Sequence, residues 1–139
     1  MTILVSACLL GENCKYTGLN NLNEHVVRFT SGHTVIPVCP EVMGGLPVPR
    51  LPAEIVHGVV TNSAGESVDA AFREGVRRVL DLIGGESVEL AILQPRSPSC
   101  GTRQVYDGTF TGTLREGQGL LAEALCARGI RVIGADELP

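Results

Sequence analysis

Apolar residues follow two kinds of pattern along this chain. Short, nearly unbroken runs occur at Ile3–Ala7, Thr34–Val38, Val88–Leu93 and Ile130–Ile133. They are too short for helices and rich in β-branched residues, so they predict strands. Between them the spacing turns helical. Leu22, Val26 and Phe29 predict a helix over Asn21–Thr30, capped by Asn20 or Asn21. Val68, Phe72, Val76, Val79, Leu80 and Ile83 form one stripe, with Arg73, Glu74, Arg77, Arg78 and Asp81 opposite, and predict a helix over Val68–Ile83 that Gly84-Gly85 ends. Leu120, Leu121, Ala124 and Leu125 predict a last helix over Gly119–Ala127, with Cys126 as a core residue. His57–Thr61 predicts a short edge strand before a turn at Asn62–Gly65, and Tyr106–Phe110 a turn with extended flanks.

Strands alternating with helices imply an α/β fold. The expected form is a small, Rossmann-like three-layer parallel sheet with helices on both faces. A chain of 139 residues is expected to make a single domain, 1–139, with a real core.

Three cysteine-bearing loops break the pattern: Ser6–Gly18, Val38–Gly45 and Ser97–Gly101. Cys8, Cys39 and Cys100 each stand just past a predicted strand. In an open parallel sheet, ligands collect at that carboxyl edge. The stretch Cys39–Ile55, rich in Pro and Gly, is too irregular for a regular element and reads as an ordered lid or site wall.

Composition narrows the chemistry. With 44% apolar and 19% charged residues, disorder is excluded. A net charge of −4 without a basic run argues against duplex DNA, and the scarcity of aromatics, with no Trp, against a single-strand stacking platform. The apolar start, Met1–Val5, is too short for a signal peptide or membrane span, so no membrane partner and a cytoplasmic location are expected. Five cysteines in a reducing compartment suggest ligands or catalysts before disulfides.

Four of them, Cys8, Cys14, Cys39 and Cys100, lie in Gly/Pro-rich loops and form the candidate metal set. Structural zinc usually draws paired knuckles with two to four intervening residues, whereas Cys8 and Cys14 are separated by five and the others stand alone. Widely spaced thiolates suit an iron–sulfur cluster better. Three ligands would leave one iron open, and Cys8, Cys39 and Cys100 are favoured because each follows a strand. Two other classes stay open: a metal-free hydrolase or transferase with Cys100 as nucleophile, and a non-catalytic zinc or redox module. Tyr16, Arg50 and Arg103 are candidates to hold a ring or a phosphate. His25, His33 and His57 lack ligand spacing and read as structural.

The strings VSACLLGENCKYTG, VCPEVMGGLPVPRLPAEI, AILQPRSPSCG and YDGTFTG resemble the short, single-domain bacterial thiouracil desulfidases, in order and from about Ile3 to Ile133. Gln94 departs from the resemblance, standing where that family more often has Lys. The resemblance implies a [4Fe–4S] cluster on three cysteines and non-redox replacement of sulfur by oxygen on a thiolated pyrimidine, with release of hydrosulfide. It also implies catalytic roles for Glu41, in Cys39-Pro40-Glu41, and for Ser97. Glu41 would take a proton from water, while Ser97 would hold the ring or relay a proton. Free thiouracil, its nucleoside and a thiouridine in an RNA fragment are the candidate substrates. The acidic balance favours the small molecule.

Overall fold

A computed structural model describes residues 1–139. Four strands, β1 (Thr2–Ser6), β2 (Thr34–Val38), β5 (Leu90–Leu93) and β8 (Arg131–Gly134), form one sheet in the order β2-β1-β5-β8. Every pairing is parallel, with Ile3 opposite Val35 and Leu90, and Ile92 opposite Ile133. Two hairpins flank the sheet: β3 (Ala53–Val56) with β4 (Val59–Asn62), and β6 (Gln104–Tyr106) with β7 (Leu114–Glu116). The helices are α1 (Glu24–Thr30), the single turn α2 (Pro40–Met43), α3 (Asp69–Ile83) and α4 (Leu120–Ala127). None is long and apolar enough to cross a membrane.

The expected three layers are present. Ile3, Val5, Leu90 and Ile92 pack on one face with Val26 of α1 and with Leu138. Leu4, Ala91 and Leu93 pack on the other with Val76, Val79 and Ile83 of α3 and Leu121 and Leu125 of α4. Both faces are covered, which is why the central strands read as unbroken apolar runs instead of alternating. Pro37 is tolerated because β2 lies at an edge. From β1 the chain steps outward to β2 and returns on the other side of β1 to β5. The order therefore reverses between β1 and β5, and a crevice opens beyond their carboxyl ends.

Several boundaries differ from expectation. The α1 cap is Asn23, whose side chain accepts the Val26 N–H at 3.2 Å. Asn20 instead bends its own loop, and Asn21 turns toward Cys8. The edge strand expected at His57–Thr61 is a hairpin that begins at Ala53 and turns at His57-Gly58. The Cys39–Ile55 stretch, expected to hold no regular element, contains the single turn α2, too short to leave a periodicity, and the first three residues of β3. Cys126 is exposed, one position past the buried stripe of Leu121, Ala122 and Leu125.

Candidate active site

Three strands deliver the thiols. β1 runs into a 3-10 turn, Ala7–Leu10, that holds Cys8; β2 ends at Cys39; β5 leads through Gln94–Pro98 to Cys100. With Cys14 they line one cavity of about 490 Å³ at the reversal point between β1 and β5. All four thiols are unpaired.

Backbone contacts hold the Cys39 and Cys100 loops closely. Cys39 is the N-cap of α2, so Pro40 and Glu41 occupy its first turn. That turn rests on α3 where two glycines meet: a Cβ on Gly75 would lie 1.7 Å from the Pro40 carbonyl oxygen, and one on Gly44 would lie 1.9 Å from that of Ala71. Gly in mid-helix is unfavourable by about 1 kcal/mol, but here only Gly admits the approach. Arg78 of α3 donates to the Met43 carbonyl at 2.7 Å and closes the turn. The Cys100 loop is held by α4, whose Leu120 and Leu121 N–H groups donate to the Pro98 and Ser99 carbonyls at 2.9 and 2.8 Å. These are N–H groups that a helix start otherwise leaves free.

Glu41 is fixed through both oxygens. Arg50 donates to Oε1 from Nε at 3.1 Å and Nη2 at 2.9 Å, and Ser99 donates to Oε2 at 2.8 Å. Ser99 has one hydrogen, and the charged carboxylate takes it in preference to Cys100 Sγ at 3.6 Å. In the 3.3 Å contact between Ser97 Oγ and Ser99 Oγ, Ser97 is therefore the donor. Ser97 also accepts the Cys100 N–H at 2.8 Å, an ordinary turn bond. The result is a directed chain, Ser97 to Ser99 to Glu41.

The sulfurs also receive donors: Ser6 Oγ reaches Cys100 Sγ at 3.3 Å, and Asn21 Nδ2 reaches Cys8 Sγ at 3.5 Å. Burial pushes the Cys100 thiol up to about 12, against the donation from Ser6. Donation from the Cys14 thiol lowers Cys39 to about 7 and also lowers Cys8, while Cys14 itself is raised. The Cys14 thiol has one hydrogen, so it supports one thiolate neighbour at a time. Cys39 Sγ also lies 3.8 Å from the Cys14 carbonyl oxygen, to which it donates when protonated.

The substrate candidates fare unequally. Tyr16 lines the cavity and is 44% exposed. Arg50 also lines it, but its guanidinium is committed to Glu41, the Cys14 carbonyl at 2.9 Å and the Pro47 carbonyl at 3.1 Å, so it positions the carboxylate. Arg103 is not part of the lining; it sits at the surface near Glu137 at 3.5 Å and Asp136 at 4.0 Å. Nor does any of the three histidines reach the cavity. Sequence reasoning missed Ser6, Asn21, Glu54 and Ser99. For Ser99 a signal existed in Ser97-Pro98-Ser99-Cys100, where either hydroxyl could have been chosen.

Residues 3–137 match the 2-thiouracil desulfurase family. This chain is a member of that family. The uncharacterized protein YbbK of Bacillus subtilis strain 168 is 35% identical over 146 residues, covering 98% of this chain and 97% of its own. Among solved structures, the [4Fe-4S]-dependent thiouracil desulfidase TudS superposes with a TM-score of 0.92 at 36% identity, covering 99% of this chain and 93% of that one. Family and fold neighbour both point to an iron–sulfur desulfurase of thiouracil.

The donor set fits a cluster of that kind. It is built of thiols, with no histidine among the lining residues, and hydroxyl and amide groups donate to the sulfurs as the outer partners of thiolate ligands do.

Proposed function

We propose that this chain hydrolyses the C=S group of thiouracil to C=O without net redox change, with Cys8, Cys39 and Cys100 holding a [4Fe–4S] cluster and Glu41 acting as general base. One observation carries the reading. Three strand-end thiols share a single cavity with a carboxylate whose two oxygens are both held in place.

When bound, such a cluster supplies a soft, Lewis-acidic iron suited to a thione sulfur. The protein's own residues supply the rest. Glu41 takes a proton from the attacking water, whose oxygen becomes the carbonyl oxygen of the base. Arg50 keeps the carboxylate aimed during that step, and Ser99, backed by Ser97, donates to its other oxygen; of the water's two protons one leaves with the sulfur as hydrosulfide and the other passes to solvent. Cys14 follows no strand and stands as a neighbour of the ligands.

A nucleoside or RNA-fragment substrate would place its sugar at the cavity mouth, where Tyr16 and Arg96 are exposed. We place the enzyme in the cytoplasm, where five unpaired thiols persist. Turnover of 4-thiouracil in oxygen-18 water tests the reaction. One label in each uracil and one hydrosulfide per base are expected; unlabelled uracil would contradict the hydrolysis.

A further inference from the structure

The chain has only five aromatic side chains, three Phe and two Tyr. Phe72 is buried and Phe29 packs against the core. The other three, Tyr16, Tyr106 and Phe110, all line the thiol cavity. Core packing does not explain this gathering, because Phe110 is 38% exposed and belongs to none of the apolar clusters.

Phe110 is also held in a costly conformation. It sits at the tip of the β6–β7 hairpin with φ +55°, in the left-handed region that bulky residues adopt only when their surroundings impose it. The imposing group is Glu54 of β3, a buried carboxylate at the cavity wall. Its Oε1 accepts the N–H of Gly108 at 3.0 Å and of Phe110 at 3.1 Å. Gly108, φ +93°, lies so close to β3 that a Cβ there would stand 2.6 Å from the Ile55 carbonyl oxygen. The Thr109, Thr111 and Thr113 hydroxyls, linked at 2.6 and 2.8 Å, brace the loop's outer side. A buried carboxylate, a tight glycine and a strained backbone thus converge to keep one apolar ring at the cavity wall.

We propose that Phe110 recognises the flat face of the substrate ring by stacking on it, and that Glu54 is the positioning residue that sets it there. The inference rests on the thiolated-pyrimidine reading above and extends it to ring recognition. A thiopyrimidine is planar and presents a π-face; stacking reads that face without regard to which ring carbon bears sulfur. The same site should therefore accept 2- and 4-thiouracil alike and reject the puckered 5,6-dihydro-2-thiouracil.

The test uses anaerobic, cluster-loaded enzyme, with KM and kcat for 4-thiouracil, the inhibition constant of uracil, and the thermal midpoint of each variant. Phe110→Leu should raise KM and the uracil constant together by about tenfold, with kcat within about twofold of wild type. Phe110→Trp should keep both constants near wild type. Glu54→Ala should shift them in the direction of Phe110→Leu, and Phe110→Leu should erase the preference against the dihydro compound. An unchanged KM in Phe110→Leu, or equal losses in the Leu and Trp variants, would overturn stacking while leaving the desulfurase intact. A loaded wild-type enzyme that leaves thiouracil untouched would overturn the underlying reading and this inference with it.

Discussion

Ile92, in the middle of β5, and Cys100, in the loop that β5 feeds, are both buried, but their surroundings differ in kind. Around Ile92 the neighbouring core is Ile3, Val5, Val26 and Leu138. Around Cys100 stand the hydroxyls of Ser6 and Ser99, and a carboxylate lies beyond Ser99. Four polar side chains are buried in the whole molecule, Ser6, Thr30, Glu54 and Ser99, and all but Thr30 line the cavity. Burying a polar group costs free energy unless it is bonded, so the body of the sheet omits them. The carboxyl edge collects them and satisfies each one. Stability resides in the body and chemistry at the edge.

That division can be tested by changes on either side of it. Glu41→Gln should have the largest effect on the edge, lowering kcat per cluster-loaded molecule by about 10²- to 10⁴-fold while the visible absorption of the cluster stays near wild type. Ile92→Ala should do the reverse, removing about 2–5 kcal/mol of stability in a denaturant titration with kcat per folded molecule unchanged. A large kcat loss there would break the division.

Gly75→Ala addresses a place where the two regions interlock. The new methyl would collide with the Pro40 carbonyl and push α2 outward, so stability should fall by about 1–3 kcal/mol and kcat should fall as well, because Glu41 rides on α2. Stability loss without kcat loss would show that the edge tolerates movement.

The smallest effect is expected at Asp69, on the start of α3 and far from the thiols. Burial opposes its ionisation, but the Val60 N–H at 2.9 Å and Arg73 outweigh it and hold the carboxyl below its ordinary value of 3.8. A lowered folded-state value stabilises above the unfolded one. The contribution is therefore present in full above about pH 4 and is lost as pH falls through the lower folded value. Asp69→Asn should remove less than about 1 kcal/mol at neutral pH, with the difference from wild type vanishing in acid unfolding curves.

The same division governs what could be read from the sequence. The α3 stripe and the four strand runs were legible because burial of a regular element imposes its own period on the residues. The three thiol loops were legible as strand-end features for the same reason, once the strands were placed. The details of the edge were not. Three asparagines in a row of four residues offered caps for α1, and only the fold selects Asn23 and frees Asn21 for Cys8. Arg103 was read as a substrate contact, but the acidic residues that face it, Asp136 and Glu137, come from the end of the chain. Ser99 meets Glu41 across 58 positions of sequence, and Glu54 meets Phe110 across 56. No local pattern carries such partners, because polar bonds at the edge join loops that the sheet brings together.

The most direct test of the account is the iron content of anaerobically reconstituted single Cys→Ala variants. Wild type and Cys14→Ala should each retain about four irons per chain, while Cys8→Ala, Cys39→Ala and Cys100→Ala should lose the cluster. Loss of iron in Cys14→Ala with retention in Cys8→Ala, Cys39→Ala or Cys100→Ala would contradict the claim that the three strand-end thiols are the ligands.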